Sequence, residues 1–278
     1  MAIGWDIGGV NTKVARVAGT EVLAVRSRPF EIQRDPHALI GLLRDVAAQV
    51  GAVPDDRHGV TMTAELSQAF RTKREGVAFV LDAMAAAFPG GRVSVFTTDG
   101  VFLDPERLVC GELVYRGVLR TPADAMGVFV PVGKDVSRVS MEGFALAGDV
   151  FVWRGELDPS DYTVPTPDGR PPTKEFAGER LARLICADRE MLDELAISAI
   201  ADSLARSIVS DIGIGIYQAM KTHASLKTAV VTGLGAFVAA RAAIDNGLGV
   251  AYLSDHLGDA GARSAPATAV ALLLDQQS

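Results

Sequence analysis

A cluster of residues near the start of the chain has the types and spacing of a phosphate and metal site. The candidates are Asp6, Gly8, Gly9, Asn11, Thr12 and Lys13. The carboxylate can hold a divalent cation through water, and the glycines, which lack Cβ atoms, let a phosphate approach their N–H groups closely. The three later residues add an amide, a hydroxyl and an ammonium group. Asx and glycine residues also serve turn geometry alone, so a purely structural role for this stretch stays open.

The elements around this cluster are two short apolar runs, residues 2–5 and 14–17, which the glycine-rich stretch separates. Such a pattern predicts a β-hairpin. With Asp-x-Gly-Gly-x-Asn-Thr-Lys at its turn, the segment resembles the first phosphate-binding hairpin of the actin, sugar-kinase and Hsp70 superfamily. The resemblance implies that the hairpin opens an α/β lobe and holds phosphate.

Composition argues against several other classes of protein. The chain has 278 residues, of which 49% are hydrophobic and 22% charged, as in ordinary globular domains. Its formal net charge of −7 disfavours nucleic-acid binding, which needs an excess of Lys and Arg. Cys110 and Cys186 have no metal-ligand or disulfide spacing, and the histidines form no zinc-hydrolase motif. No signal peptide or membrane-spanning run is visible, so we expect no membrane partner and a location in the reducing cytoplasm.

The N-terminal part of the chain reads as three strands followed by two helix–strand pairs. After the hairpin, a strand is predicted over 21–32, a helix over 37–50, a strand over 59–66, a helix over 75–88 and a strand over 93–97. The order βββαβαβ is the one on which ribonuclease-H-like lobes are built. Right-handed crossovers place the carboxyl ends of the parallel strands at one edge, where ligands bind. We therefore expect Asp6 to lie near residues 62–65 and 97–99.

The remainder of the chain predicts a second, less regular lobe. It contains a strand-like run at 111–122 and a proline-rich loop at 157–174 that suits a lid, a binding loop or a plain linker. A helix that opens at Asp188 follows, in which Gly213 and Gly215 are candidate kinks. Its apolar residues recur every four positions and predict burial: Leu192, Ala196, Ile200, Leu204, Ile208, Ile212, Ile216 and Met220. A strand, a Gly-x-Gly turn at 233–235, a short strand at 252–253 and a closing helix at 265–274 complete the chain.

The predicted fold is therefore α/β, a two-lobed actin/sugar-kinase-like architecture. Lobe I, residues 1–103, carries the phosphate hairpin. Lobe II, residues 104–278, carries the proline-rich loop, the long helix and the Gly-x-Gly turn, and its closing helix is allowed to return to lobe I. Apolar surface and glycine-rich lobes permit a homodimer, although no stretch identifies its interface.

Taken together, the motifs resemble one family in particular, the hydantoinase A/oxoprolinase-related proteins of the tetrahydromethanopterin-linked C1-transfer pathway. The stretches that carry the resemblance span nearly the whole chain, at residues 6–13, 62–66, 111–122, 181–188, 231–235 and 265–267. The most specific is Gly-Glu-Leu-Val-Tyr-x-Gly-Val-x-Arg-Thr-Pro at 111–122. The family includes the archaeal enzyme that forms the ether bond of methanofuran.

The resemblance implies transfer of an aminomethylfuran-methyl group from its diphosphate to a phenol oxygen, on γ-glutamyltyramine or a tyrosine-type acceptor, with release of diphosphate. It implies Mg²⁺ held by Asp6 through water, diphosphate held by the glycines and residues 11–13, and Glu65 as the base for the phenol proton. Further phosphate contacts are assigned to Gly233 and Gly235, and recognition of the acceptor to Glu112, Tyr115, Arg116 and Arg120. Ordinary ion pairing explains Glu65 and the recognition set as an alternative.

One departure from the family affects the phosphate site. Members carry a second phosphate hairpin, Asp-x-Gly-Ser-Thr-Thr-Thr-Asp, before the run at 111–122, but residues 101–108 leave no room for it, so lobe II is predicted to be truncated. The first hairpin and the Gly-x-Gly turn also fit an ATP-dependent sugar-type kinase, which needs the missing hairpin to hold the β- and γ-phosphates. A third alternative is a non-catalytic relative that binds a metabolite or a partner.

Overall fold

The computed structural model describes residues 1–96 and 116–276, which divide between two compact units. Unit 1 combines the N-terminal part of the chain with the residues from 252 onward, and unit 2 comprises the residues in between. The predicted lobe boundary at 103/104 lies outside the described residues. The sequence predicts that residues 252–278 belong to lobe II, and that at most the closing helix packs on lobe I. In the structure both C-terminal helices belong to unit 1, because its sheet has an apolar face for them to cover.

Unit 1 is built on a five-stranded sheet. Its strands are β1 (Ala2–Ile7), β2 (Asn11–Ala18), β3 (Glu21–Pro29), β4 (Arg57–Met62) and β5 (Val93–Val95). They lie in the order β3-β2-β1-β4-β5. β2 runs antiparallel to β1 and β3, whereas β4 runs parallel to β1 and β5. This is the sheet of a ribonuclease-H-like lobe, and it confirms the predicted order.

Different helices cover the two faces of this sheet. On one face lie α1 (Leu39–Gln49) and α2 (Lys73–Ala87), which share a buried cluster with Trp5. On the other face lies α8 (Ala265–Gln276), which confirms the predicted closing helix and follows a short helix, α7 (Ser254–Arg263), that was not predicted. Because side chains alternate along a strand, the odd-numbered residues of β1 face α1 and α2, and the even-numbered residues face α8.

Helix α8 approaches the sheet closely because glycines face it. A Cβ atom on Gly4 would lie 1.9 Å from the Ala267 carbonyl oxygen and 2.9 Å from the Ala271 Cβ. A Cβ atom on Gly59 would lie 2.6 Å from the Val270 Cγ1. A side chain at Gly4 or Gly59 would therefore prevent α8 from packing on the sheet as it does.

We expect Gly4→Ala to lower the free energy of unfolding by at least about 2 kcal/mol, because the added methyl group overpacks the contact with α8. Urea unfolding measures the change. The matched control is Gly41→Ala in α1, where an added Cβ meets no described atom within 4 Å. There, removal of a helical glycine should stabilise the protein by up to about 1 kcal/mol. Equal effects of the two substitutions would contradict the described packing.

Strand β4 ends earlier than the sequence pattern predicts. The prediction extended it through residue 66, but the strand ends at Met62 and a 3₁₀ turn covers Ala64–Leu66. The Thr63 carbonyl accepts the Leu66 N–H (3.2 Å), and the Ala64 carbonyl accepts the Ser67 N–H (2.9 Å). Local hydrogen bonds thus replace the sheet ladder, and Glu65 lies in a turn and not on a strand.

Three aromatic rings stack beside β1 and β4 in unit 1. The Trp5 indole N–H donates to Nδ1 of His58 (3.1 Å), and the His58 ring stacks on Phe88 with centroids 4.2 Å apart. His58 accepts this bond only when Nδ1 carries no proton. Burial lowers the pKa of His58, and the neighbouring Asp56 carboxylate opposes that shift. The stack therefore favours neutral histidine.

This stack predicts a specific loss of stability in acid. Because the pKa of His58 is lower in the folded than in the unfolded chain, its contribution to stability is full above the ordinary pKa of about 6.5. That contribution is lost as the pH falls from there through the lower pKa of the folded state. We expect His58→Phe to flatten the fall in unfolding free energy between pH 7.5 and 5.5, whereas His256→Gln, at an exposed histidine, leaves it unchanged. An unchanged slope in His58→Phe would refute the assignment. Urea titrations at each pH provide the measurement.

Unit 2 combines helices with two small sheets in the described residues. Its elements are β6 (Phe129–Val132), β7 (Asp135–Arg138), α3 (Ala147–Trp153), α4 (Lys174–Arg183), α5 (Glu194–Thr222), β8 (Thr228–Val231), α6 (Ala236–Asp245) and β9 (Gly249–Tyr252). β6 pairs with β7 and β8 with β9. β8 confirms the predicted strand before the Gly-x-Gly turn. The first four elements have no counterpart among the predictions.

The long helix α5 is continuous over 29 residues. It begins after Asp193, whose side chain accepts a backbone N–H of the first turn (2.8 Å), and not at Asp188 as predicted. The predicted kink is also wrong. A Cβ on Gly213 would lie 3.0 Å from the Asn246 amide nitrogen, so this glycine serves close packing, and Gly215 is a buried residue of the same unbroken helix.

The predicted burial along α5 is confirmed for its first half. Ile200, Leu204 and Ile208 are buried, whereas Ile212 and Ile216 are only half-buried. Unit 2 thus has its apolar core around the N-terminal half of this helix. None of the helices in the described ranges has both the length and the apolarity needed to cross a bilayer.

The proline-rich loop of unit 2 is fixed to the helices that flank it. Arg180 of α4, which is only 1% exposed, forms ion pairs with Asp149 of α3 (2.8 Å) and with Asp168 of the loop (3.0 Å). Burial raises the pKa of Asp149, and the hydrogen bond from Arg180 opposes that shift. Within the loop, the Thr166 hydroxyl donates to the Arg170 carbonyl (2.7 Å). The observed contacts therefore tie this segment to the core of unit 2.

Candidate functional site

The turn between β1 and β2 leaves open space above a glycine. The Gly8 N–H donates to the Asn11 carbonyl (2.9 Å), and the Ile32 N–H donates to the Gly9 carbonyl (3.1 Å). A Cβ on Gly8 would lie 2.9 Å from the Asn11 carbonyl oxygen, whereas a Cβ on Gly9 would meet no atom of the described residues within 4 Å. The Gly9 N–H has no acceptor among the described residues. The turn is thus closed by a hydrogen bond at Gly8 and leaves the Gly9 N–H for an anion.

Asp6 and Lys13 form a charge pair beside this turn. They are paired across β1 and β2, on the sheet face that α8 covers, and the Lys13 Nζ lies 4.0 Å from the Asp6 Oδ2. The Asp6 side chain is only 17% exposed. Burial raises the pKa of Asp6, and the charge of Lys13 opposes that shift without cancelling it. The carboxylate is therefore incompletely compensated, and a bound cation would stabilise its charged form.

Thr12 lies on the opposite face of the sheet from this charge pair. It is paired with Ile7, and residues paired across antiparallel strands share a face. Its side chain is fully buried, and its hydroxyl has no hydrogen-bond partner among the described residues. Asn11, at the start of β2, is half-buried. The structure therefore brings the predicted phosphate residues of the hairpin to one turn but divides their side chains between two faces.

The 3₁₀ turn after β4 adds further polar groups beside the glycine turn. The Thr63 N–H donates to the Ile7 carbonyl (3.0 Å), and the Thr63 Oγ1 lies 3.6 Å from the position that a Cβ on Gly8 would occupy. Two residues further on, Glu65 is half-buried, and its Oε2 is buried without a hydrogen-bond partner in the described part of the chain. Thr63 was not singled out as a site residue, although its position at the end of a central strand would have justified it.

The residues at this edge suit Mg²⁺ bound together with a phosphate. Among the described residues, no group of three or more His, Cys, Asp or Glu side chains is placed to hold a metal ion. Mg²⁺ keeps several water ligands and commonly binds through one or two carboxylates and substrate phosphates. The incompletely compensated carboxylate of Asp6, next to the accessible Gly9 N–H, offers that combination.

The predicted site residues of unit 2 have different surroundings. Arg116 forms an ion pair with Asp211 of α5 (2.8 Å), and Arg120 is exposed. Glu112 and Tyr115 lie outside the described residues, as do residues 97–99, which were expected near Asp6. The acceptor-recognition roles of these side chains therefore stay predictions.

The Gly-x-Gly turn connects β8 to α6, as predicted. Gly233 has a φ of +76°, a conformation that favours glycine, and Gly235 is the N-cap residue of α6. A Cβ on Gly235 would lie 3.1 Å from the Val118 Cγ1. Backbone conformation and packing therefore account for both glycines, and their phosphate-binding role stays a prediction.

The sheet order of unit 1, with an Asp-x-Gly-Gly hairpin at its first turn, defines a protein of the actin, sugar-kinase and Hsp70 class. Residues 106–277 match the hydantoinase/oxoprolinase family. The chain belongs to the hydantoinase/oxoprolinase family, as the sequence motifs indicate.

Two curated relatives carry the same name, (4-{4-[2-(gamma-L-glutamylamino)ethyl]phenoxymethyl}furan-2-yl)methanamine synthase. The protein of Methanocaldococcus jannaschii is 26% identical over 334 alignment positions, which cover 100% of this chain and 98% of the relative. The protein of Methanococcus vannielii is 30% identical over 132 positions, which cover 48% of this chain and 59% of the relative. Because the first alignment has 334 positions and this chain has 278 residues, at least 56 positions have no counterpart here.

Solved structures of similar chains have low sequence identity. The ethanolamine utilization protein EutJ from Carboxydothermus hydrogenoformans is 11% identical, with a TM-score of 0.47 and coverage of 98% of this chain and 89% of that one. A PilM–PilN type IV pilus biogenesis complex gives 14% identity, a TM-score of 0.46 and coverage of 98% of both chains. The structural class assigned above depends on the strand order and the hairpin.

The buried charge of Asp6 predicts that its neutral isostere stabilises the protein. Because burial raises the pKa of Asp6, the folded protein holds the proton on this carboxyl more tightly than the unfolded chain does. The resulting contribution to stability is full below the ordinary pKa of 3.8 and is lost as the pH rises through the folded-state pKa. We expect Asp6→Asn to raise the urea midpoint at pH 7 and to have little effect at pH 3.5. The exposed Asp45→Asn in α1 is the control. A lower midpoint for Asp6→Asn at pH 7 would contradict the assignment.

Proposed function

We propose that this chain forms an aryl–alkyl ether in the biosynthesis of a methanofuran-type C1-carrier coenzyme. The reaction transfers an aminomethylfuran-methyl group from its diphosphate to the phenol oxygen of γ-glutamyltyramine or a tyrosine-type acceptor. The observation that carries the proposal is the largely buried Asp6 carboxylate, 4.0 Å from the Lys13 Nζ, beside Gly9, where an added Cβ would meet no described atom within 4 Å. The names of the two relatives support it, since the compound in that name contains a phenoxymethyl link to furan.

The reaction requires one bond exchange and one proton transfer. The bond between the furan methylene carbon and the diphosphate oxygen breaks, and its electron pair leaves with diphosphate. A new bond forms between the phenol oxygen and the same methylene carbon, while the phenol proton passes to a base. Because a furan-methyl carbon stabilises positive charge well, departure of the diphosphate carries much of the barrier, and the protein has to stabilise that leaving group.

The β1–β2 hairpin supplies groups for the leaving diphosphate. The Gly9 N–H is available to an oxygen of the anion, and Lys13 is 30% exposed and able to turn its ammonium group toward it. Asp6 would hold Mg²⁺ through water, and that ion neutralises charge on the departing diphosphate when it is bound. The half-buried position of the carboxylate strengthens its attraction for a cation relative to a fully solvated carboxylate.

Glu65 is our candidate for the base. No described residue donates a hydrogen bond to its buried Oε2, so this oxygen keeps an open acceptor position for the phenol hydroxyl, whose ordinary pKa is about 10. A carboxylate is a weak base for such a proton in the ground state, but it removes the proton effectively as the new bond to carbon forms. Glu65 is two residues from Thr63, which borders the glycine turn. The diphosphate substrate and the phenol substrate would therefore bind beside one short segment of the chain.

An ATP-dependent sugar-type kinase is the alternative enzyme. The superfamily fold and the turn at 233–235 favour it. The predicted absence of the second phosphate hairpin disfavours it, because such kinases hold the β- and γ-phosphates there. A non-catalytic metabolite-binding relative is the other alternative. It is favoured because at least 56 positions of the 334-position alignment with the Methanocaldococcus jannaschii protein have no counterpart in this chain.

Turnover measurements separate these functions. With Mg²⁺, aminomethylfuran-methyl diphosphate and γ-glutamyltyramine, we expect the ether product by mass spectrometry and one diphosphate released per ether. Glu65→Gln should lower kcat by about 10²- to 10⁴-fold, as for other general bases. Glu21→Gln, at an exposed carboxylate at the opposite end of the hairpin strands, is the control. Phosphorylated product from ATP and sugars would favour the kinase, and no turnover of either substrate set would favour the non-catalytic relative.

A further inference from the structure

We propose that Gly76 is a positioning residue for Glu65, and that it sets the place of the 3₁₀ turn on which the proposed base stands. The inference rests on the proposed function. Gly76 lies in the first turn of α2 and is buried. A Cβ atom there would lie 2.6 Å from the Glu65 Cα and 3.0 Å from the Glu65 carbonyl oxygen. Both are backbone atoms, so the helix and the turn can pack this closely only around a glycine.

The conformation of Gly76 gives no other reason for glycine at this position. It lies inside a regular helix and does not have a positive φ. Glycine weakens a helix interior relative to alanine, because it loses more backbone entropy on folding. The close approach to Glu65 therefore explains a residue that the helix itself disfavours.

The helix side of this contact is held in place by its cap. The Thr72 side chain accepts the Glu75 N–H (3.2 Å), the Thr72 carbonyl accepts the Gly76 N–H (3.1 Å), and the Glu75 carboxylate accepts the Arg71 N–H (3.0 Å). These reciprocal bonds fix the first turn of α2. An added methyl group at residue 76 would therefore displace the turn that carries Glu65 and leave the helix where it is.

The turn also has an anchor on the sheet side. The Thr63 N–H donates to the Ile7 carbonyl (3.0 Å), and Ala64 is fully buried. A displacement imposed at Glu65 thus acts between two fixed points and changes the direction of the Glu65 side chain. Within the described residues, its Oε2 has no hydrogen bond that would restore the original direction. The backbone contact with Gly76 is what positions the carboxylate.

The test compares Gly76→Ala with Gly41→Ala, the helical glycine on α1 whose added Cβ meets no atom within 4 Å. We expect Gly76→Ala to lower kcat at least about tenfold, since small displacements of a reacting group are costly. The KM for the diphosphate and its thermal shift with Mg²⁺ should be retained, because the β1–β2 hairpin is untouched. Gly41→Ala should retain full kcat.

A double substitution distinguishes positioning from general destabilisation. If Gly76 acts through Glu65, Gly76→Ala should cost almost nothing in kcat when added to Glu65→Gln. If the unmodified chain turns over but Gly76→Ala has the kcat of Gly41→Ala, or if the two losses multiply in the double variant, the inference fails while the proposed function stands.

Failure of the proposed function has a different result, because the unmodified chain would then give no ether at all. If Gly76→Ala does not fold, Phe70→Leu is added. The Phe70 Cδ2 lies 2.9 Å from the same added Cβ, so the smaller side chain relieves part of the crowding and leaves the contact with the Glu65 backbone. A folded double variant with full kcat would likewise overturn the inference.

Discussion

The carboxylate of Asp6, held half-buried at the end of a central strand, is the constraint on which the site in unit 1 depends. A charge in this position is costly unless an opposite charge or hydrogen bonds compensate it. Lys13, at 4.0 Å, compensates it only in part, since the pKa of Asp6 is raised. Under the proposed function, a bound cation would stabilise the charged carboxylate, and proteins commonly accept a local cost of this kind at functional positions.

Close backbone approach is the second feature common to the site and the fold around it. Gly4 and Gly59 let α8 lie on the sheet face that carries Asp6, and Gly8 allows the tight return of the hairpin at its end. Gly76 brings the turn with Glu65 against α2. In each case a Cβ atom would lie within 3 Å of a neighbouring residue. The packing of α8 on the sheet and the two turns at the carboxyl edge of the sheet therefore have spacings that only glycine permits.

The sequence predicts the sheet of unit 1 well, because alternation, hairpin turns and helix–strand crossovers are local signals. It predicts the end of β4 poorly, because Ala64 and Leu66 continue an apolar pattern while local hydrogen bonds turn the backbone. The separation of Thr12 from Lys13 follows from the two-residue period of a strand and was available from the sequence. The role of Gly76 was not, because it depends on a tertiary contact between segments that periodicity cannot bring together.

The central claim is that Asp6 makes this hairpin a magnesium-dependent diphosphate site. Isothermal titration of the purified chain with aminomethylfuran-methyl diphosphate, with and without Mg²⁺, tests it most directly. The account predicts binding that requires Mg²⁺ and weakens at least about tenfold in Asp6→Asn, equivalent to about 1.4 kcal/mol. Equal affinity in the two proteins, or binding that is indifferent to Mg²⁺, would contradict it.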